Sequence, residues 1–162
     1  MSGRLSGWFR RPEPVVRRGG TADAGALAVL HAGGFRVGWG ADEFERLLAD
    51  RLSLALVATD GVRGPAVGFI LLRGVRPETE ILSIAVAPRW RGRGLGRRLL
   101  ERAFGMLAAE GFATVFLEVE ETNASALRLY AGTGFHEVGR RAGYYAGPGG
   151  ASAALVMRRD IA

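Results

Sequence analysis

The feature that most constrains this chain is the run Ala85-Val86-Ala87-Pro88-Arg89-Trp90-Arg91-Gly92-Arg93-Gly94-Leu95-Gly96-Arg97-Arg98-Leu99-Leu100. An apolar strand runs into a proline, then into a loop in which glycines alternate with arginines, and then directly into an apolar-periodic helix. Such a strand, loop and helix aim free backbone N–H groups and the positive end of a helix dipole at one point, and glycines let a ligand approach the backbone. The arginines add charged donors for the same anion. The expectation is a seat for phosphate; the plain alternative is a glycine-rich helix entry that binds nothing. The spacing Arg91-x-x-Gly94-x-Gly96 is neither the dinucleotide fingerprint G-x-G-x-x-G nor a P-loop, which needs Gly-Lys-Ser/Thr.

The rest of the chain can be placed around that loop. Met1 to about Pro14 is polar with Gly and Pro, and reads as a basic, partly disordered extension; residues 15–162 read as a single domain. Val15 to Arg18 can form a short strand. Thr21 or Asp23 then offers an N-cap to a helix with Leu27, Leu30 and His31 at helical spacing, closed by Gly33-Gly34. An aromatic loop, Phe35 to Gly40, precedes a second helix from Ala41 to Leu48. From Leu52 the period becomes strand-like: Leu52 to Thr59 and Ala66 to Val75 read as a hairpin, and Glu80 to Val86 as a third strand, apolar on both faces and hence central. Three antiparallel strands thus feed the glycine loop. The helix after it places Leu95, Leu99, Leu100, Ala103, Met106 and Leu107 on one face and ends at Gly111; Thr114 to Glu120 follows as a strand. Strand, helix, strand in that order implies a crossover to a parallel neighbour, so the sheet is mixed, with its parallel pair at the loop. A short helix from Asn123 to Gly132 and a hairpin of Phe135–Tyr145 with Ala151–Ile161 close the chain.

Composition narrows the chemistry. The chain has no cysteine and only two histidines, which excludes thiolate metal sites, a cysteine nucleophile and a three-histidine metal site, so no metal is expected. No apolar run approaches the roughly 18 residues needed to cross a bilayer, and the N-terminus lacks the apolar core of a secretory signal; the cytoplasm is the expected compartment. The net charge of +6 is local: residues 1–20 carry +4 and residues 89–102 carry +5, leaving the remainder at −3. One basic patch is the phosphate loop. The other lies on the N-terminal arm, whose arginines Arg10, Arg11, Arg17 and Arg18 offer a nucleic-acid contact.

Two side chains stand out as chemical candidates. Val115, Leu117 and Val119 alternate on one face of their strand, leaving Phe116, Glu118 and Glu120 on the other. A carboxylate in the middle of an otherwise apolar strand costs several kcal/mol unless solvated or paired, so Glu118 is either a base or an arginine-paired structural glutamate. Asn123, the only asparagine, suits the N-cap of the helix that follows. Tyr130 lies two turns on and roughly on the same face; a phenol there can donate a proton to a departing thiolate, or can simply join Leu127 and Phe135 in the core.

The loop Arg91-x-x-Gly94-x-Gly96, the run Leu117-Glu118-Val119 with Asn123-Ala124-Ser125-Ala126-Leu127-Arg128-Leu129-Tyr130 and Gly134-Phe135, and the later Val138 to Tyr145 and Ala154 to Met157 together resemble the GNAT superfamily of N-acetyltransferases, and within it the ribosomal-protein alanine N-acetyltransferases of the RimI type. The resemblance covers roughly Val15 to Ile161 and is strongest from Ile81 onward. It implies an α/β (α+β) fold with a mixed, mostly antiparallel seven-stranded sheet, a central parallel pair and about four helices. It implies acetyl-CoA as donor, with Ile84, Ala85 and Val86 along the pantetheine, Arg91, Gly92, Arg93, Gly94, Leu95, Gly96 and Arg97 around the pyrophosphate, and Asn123 and Ala126 beside the pantetheine arm. Glu118 would be the general base and Tyr130 the general acid, while Trp39, Tyr144 and Tyr145 would flank the acceptor. Two departures touch the acceptor side: Gly38 stands where relatives often have proline, and Gly149-Gly150-Ala151-Ser152 where they often carry an acidic segment.

With no cysteine and no Gly-x-Ser-x-Gly elbow, direct attack by an amine is the simplest route. An α-amine of pKa about 7.7–8.0 is roughly one tenth neutral at pH 7, a lysine near 10.4 only about 0.04%. That difference favours a protein N-terminus, and the resemblance points to the N-terminal alanine of a small-subunit ribosomal protein; the sequence leaves the oligomeric state unknown, with a monomer favoured. A lysine or small amine as acceptor, and a non-catalytic basic module that binds ribosomal RNA, are the competing expectations.

Overall fold

A computed structural model of the chain describes residues 13–33, 38–147 and 150–161, with 144–147 described by backbone alone. The elements are β1 (Val15–Arg18), α1 (Ala24–Ala32), α2 (Ala41–Ala49), β2 (Ser53–Thr59), β3 (Ala66–Val75), β4 (Glu78–Val86), α3 (Leu95–Ala109), β5 (Thr114–Glu120), α4 (Ala124–Gly132), β6 (His136–Gly147) and β7 (Gly150–Asp160). The seven strands form one sheet in the order β1-β2-β3-β4-β5-β7-β6. Among the described residues only β4 and β5 run parallel, and every other neighbouring pair is antiparallel. The mixed sheet with its central parallel pair is the one the sequence implies. Arg10 and Arg11 of the expected basic arm lie outside the described residues.

Alternation along the strands divides the core into two layers. Leu54, Leu56 and Ala58 of β2, Ile70 and Leu72 of β3, and Val115, Leu117 and Val119 of β5 meet Leu99, Leu100, Phe104 and Leu107 of α3 and Tyr130 of α4. Ala55 and Val57 of β2, with Phe69 and Leu71 of β3, meet Leu27 of α1 and Phe44 of α2 on the opposite face. Burying each of the large side chains contributes roughly 1.5–3 kcal/mol, which explains why β2, β3 and β4 read as nearly continuous apolar runs.

Strand ends differ from the sequence reading where a ladder continues past the apolar run. β4 begins at Glu78 rather than Glu80, because Glu78 and Thr79 still pair with Val75 and Gly74 on one side and with Thr114 and Val115 on the other. β6 and β7 run on through Ala146↔Ala151 and Gly147↔Gly150. β4 also carries a bulge: Leu71 of β3 faces Ser83 and Leu72 faces Ile81, so Leu82 is the extra residue. Ile81 therefore packs in the α3 layer, while Leu82 and Ala85 pack in the α1/α2 layer.

Close approach of α3 to the sheet depends on Gly68. A Cβ there would lie 3.3 Å from Leu95 Cδ2, 3.4 Å from Leu99 Cδ1 and 3.3 Å from the Ala85 carbonyl oxygen. Gly68→Val must push α3 outward, and overpacking of this kind costs about 1–3 kcal/mol. Urea denaturation of the variant should show a lowered midpoint at an unchanged slope; an unchanged midpoint would mean that α3 can yield freely.

Candidate active site

β4 and β5 pair from Glu78↔Thr114 to Ile81↔Leu117 and no further. β4 nevertheless continues to Val86, bonded to β3, and β5 continues to Glu120, bonded to β7. From the Leu82 bulge onward the two parallel strands have parted, and the β4 edge that faces β5 offers backbone donors and acceptors without a strand partner. Crevices outside the carboxyl ends of parallel strands are where open α/β sheets bind ligands. Ile84, Ala85 and Val86 all lie on this parted stretch.

The glycine loop continues directly from that edge. Pro88–Trp90 make a single 3-10 turn, and Arg91 Nε donates back to the Val86 carbonyl at 3.0 Å. Gly92 and Gly94 adopt φ +71° and +79°, a left-handed conformation that penalises other residues. Gly96 has a different reason: a Cβ there would lie 3.2 Å from Leu129 Cδ2 of α4. Gly94 caps α3 and has no side chain to satisfy the first-turn amides, so the N–H groups of Leu95, Gly96 and Arg97 remain available at the positive end of a 15-residue helix. Arg93 stacks over Trp90 at 5.1 Å. Arg97, expected at the pyrophosphate, turns instead along the helix: its Nε donates to Glu101 (3.0 Å) and its guanidinium to the Gly132 carbonyl (3.1 Å).

Glu118 and Tyr130 lie on opposite faces of the sheet. Glu118 shares its face with Phe116 and Glu120, on a part that α1 and α2 do not cover; it makes an ion pair with Arg141 of β6 at 3.0 Å. The arginine-paired reading of Glu118 thus describes a contact that is present, and the carboxylate still borders an open groove of about 330 Å³ with Arg73, Glu78, Glu80, Phe116 and Val156. Glu80, opposite Phe116 in the parallel ladder, has its pKa held above the ordinary glutamate value by partial burial and then by the Glu118 charge, with Arg141 opposing. Tyr130, 7% exposed, stands edge-on to Phe135 at 5.7 Å within the α3/α4 layer, and burial pushes its phenol up to about 12. Between the two lies the point where β4 and β5 cease to pair, beyond Ile81↔Leu117. Asn123 does the capping job expected of it, its Oδ1 accepting from the Ala126 amide at 3.2 Å. Ala126 itself is half-buried against the α3 layer.

The acceptor-side expectations fare unevenly. Trp39 is half-buried, stacked on His31 with centroids 4.8 Å apart and edge-on to Phe44 at 5.6 Å, so it belongs to the α1/α2 layer. Residues 34–37 of its loop, and the side chains of Tyr144 and Tyr145, lie outside what the structure describes. The β6 backbone there is bulged: Arg141 faces Ala154 and Tyr145 faces Ser152, with Gly143 at φ +69°. Sequence reasoning passed over Glu80, which stood at the expected start of β4, and Arg141, which had no partner until β6 and β5 were placed in one sheet. It also passed over the buried His31 Nδ1···Ser83 Oγ contact of 2.8 Å, since only the bulge at Leu82 turns Ser83 toward α1. Among the described residues no group of three metal-ligating side chains occurs, and no helix is long and apolar enough to cross a membrane.

Comparison with known proteins agrees with this geometry. Residues 26–135, about two thirds of the chain, match the acetyltransferase (GNAT) family. The chain belongs to that family. It is 40% identical over 146 residues to the N-alpha-acetyltransferase RimI of Mycobacterium tuberculosis, covering 86% of this chain and 87% of that protein. It is 38% identical over 98 residues to the ribosomal protein bS18-alanine N-acetyltransferase of Escherichia coli K12, covering 60% of this chain and 66% of that protein, just under two thirds. The crystal structure of the ribosomal-protein-S18-alanine N-acetyltransferase from Escherichia coli superposes with a TM-score of 0.84 at 30% identity, covering 92% of this chain and 94% of that one.

His31 gives the structure a pH signature. Burial, at 2% exposure, lowers its pKa from the ordinary 6.5, so the folded state holds it neutral where the unfolded chain would protonate. The unfolded state then binds more protons below pH about 6.5, and this contribution to stability is present above that pH and lost as pH falls. Melting temperatures taken from pH 8 to pH 5 should fall more steeply for the wild type than for the paired variant His31→Phe with Ser83→Ala. Parallel curves would contradict a buried neutral His31.

Proposed function

We propose that this GNAT protein is an acetyl-CoA-dependent N-alpha-acetyltransferase that acetylates a protein N-terminus, with the N-terminal alanine of a small-subunit ribosomal protein as its acceptor. The observation that carries this reading is the end of β4–β5 pairing at Ile81↔Leu117, which puts an opening in the sheet with Glu118 on one face and Tyr130 on the other. The groups around it suit the donor. Uncapped amides of Leu95, Gly96 and Arg97, with Arg91 and Arg93 nearby, can hold a diphosphate. The free edge at Ile84, Ala85 and Val86 can bond the pantetheine amides as an added strand would, with Asn123 and Ala126 at the start of α4 on the other side. The named relatives support the acceptor.

Acetyl-CoA supplies the thioester whose acyl carbon the amine attacks, giving an amide and a free thiol. Glu118, held by Arg141 on the open face, takes the proton that the acceptor ammonium must lose before attack, directly or through one water. Glu80 beside it keeps the groove acidic and so attracts that ammonium. Tyr130 provides its phenolic proton to the departing sulfur and recovers one from the new amide nitrogen. Its raised pKa keeps it protonated until that moment. No side chain acts as an acyl carrier, consistent with a chain that lacks cysteine.

Incubation with acetyl-CoA and peptides starting with Ala, Ser or Met, alongside an N-blocked lysine peptide, tests the assignment by mass spectrometry. The Ala peptide should gain one acetyl group on its α-amine, and Glu118→Gln and Tyr130→Phe should each lower kcat/KM by about 10²–10⁴-fold. Acetylation of the lysine peptide alone would transfer the enzyme to a side-chain amine; unchanged kinetics in both variants would remove the acid–base assignment.

A further inference from the structure

Six arginines stand between Arg89 and Arg102, and three of them are tied into the fold. Arg91 Nε donates to the Val86 carbonyl at 3.0 Å, which pins the base of the loop to β4. Arg97 is shared between Glu101 and the Gly132 carbonyl, and Arg98 donates to the Pro14 carbonyl at 2.7 Å. Arg89 and Arg102 flank the loop, one before Trp90 and the other two turns into α3. Arg93 is held differently. Among the described residues it has no carboxylate or carbonyl partner; its guanidinium carbon lies over the Trp90 ring, 5.1 Å from the centroid.

The backbone places both members of this pair. Trp90 ends the 3-10 turn, its amide donating to the Ala87 carbonyl at 2.8 Å, and its half-buried ring packs against the α3 layer. Arg93 sits between Gly92 and Gly94, at φ +71° and +79°, immediately before the first turn of α3. The Gly94 carbonyl accepts from the Arg98 amide, so the amides of Leu95, Gly96 and Arg97 have no intrahelical acceptor. A carboxylate beside Arg93 would neutralise it and occupy its forked donors, whereas a ring face leaves the charge unspent. An unsupported arginine would also have to be ordered as the anion arrives; the Trp90 ring orders it beforehand.

We infer that Trp90 is a positioning residue for the donor: its ring holds the Arg93 guanidinium beside the N-terminus of α3, so that this side chain joins the Leu95–Arg97 amides in binding the diphosphate of acetyl-CoA. Within the run from Arg91 to Arg97, tasks are thereby separated. The backbone amides and Arg93 serve the anion, the Arg91 Nε fixes the junction with β4, and the Arg97 side chain is a strut between α3 and the end of α4.

Resting on acetyl-CoA as the donor, this role is tested by a double-mutant cycle on the full-length chain, with dissociation constants for coenzyme A and dephospho-coenzyme A read by titration calorimetry. Dephospho-coenzyme A keeps the diphosphate and lacks the 3′-phosphate. Arg93→Gln removes the cation. Trp90→Leu removes the ring but keeps an apolar side chain against the α3 layer, and Trp90→Phe keeps a smaller ring. Arg102→Gln removes an equal charge from α3 away from the loop. Melting temperatures report what each change costs the fold.

Arg93→Gln should weaken both ligands by about tenfold and Trp90→Leu by about threefold to fivefold, the scales of a charge-assisted hydrogen bond and of an exposed cation–π contact. In the Arg93→Gln background, Trp90→Leu should change the dissociation constant by less than about twofold. Trp90→Phe should recover most of the loss seen with leucine, and Arg102→Gln should stay within about twofold of the wild type. A Trp90 that merely packs would weaken coenzyme A equally in both backgrounds, and that result overturns the role. An equal loss in Arg102→Gln also overturns it, because only diffuse charge would then be at work. An Arg93→Gln penalty that disappears with dephospho-coenzyme A overturns the diphosphate assignment and moves the contact to the 3′-phosphate. A folded wild type that binds no coenzyme A overturns the donor reading itself, and this role with it.

Discussion

The structure depends on two parallel strands that begin paired and then part. β4 and β5 share four residue pairs before the bulge at Leu82 shifts the register of β4 against β3. One face of that region is covered by α3 and α4, and the other is left open near Glu80 and Glu118. A fully antiparallel sheet offers no comparable place: its neighbours are joined by hairpins and have no common carboxyl end. The same parting frees the β4 edge, leads into the glycine loop and places Tyr130 and Glu118 on opposite sides of one opening.

Around that opening, packing and charge have separate tasks. Gly68 and Gly96 let α3 settle onto β3 and against α4, so the helix that follows the glycine loop cannot drift from the sheet. Gly92 and Gly94 instead set a backbone path that no side chain would adopt cheaply. Positive charge is concentrated at the loop, whereas the open groove brings Glu78, Glu80 and Glu118 together, with Arg73 tied to Asp50 and Arg141 to Glu118. Under the proposed function, a polyanionic donor and a cationic amine would meet surfaces of the matching sign. An overall charge of +6 describes neither surface.

The glycine loop and the elements beside it were legible in the chain because their signals are local. The loop, the helix that follows and the Asn123 cap are written in residues at most a few positions apart, and each has one inexpensive conformation. Glu118 was legible because one carboxylate interrupts an apolar alternation. The Glu118–Arg141 pair, by contrast, is a contact between β5 and β6, and Glu80 gains its meaning only when β5 lies alongside β4. The His31–Ser83 bond depends on a one-residue bulge, and a slip of one residue moves a side chain to the other face. Nothing in the period of Ile81-Leu82-Ser83 announces that slip. Trp39, which the resemblance puts beside the acceptor, stacks on a histidine from the preceding helix.

Amide hydrogen exchange, followed by mass spectrometry with and without coenzyme A, addresses the central claim directly. If the parted strands receive the donor, coenzyme A should slow exchange in peptides covering Leu82–Val86 and Leu95–Arg97 while leaving β1, β2 and the β3 ladder unchanged. Protection spread evenly over the chain, or absent from Leu82–Val86, would contradict the account.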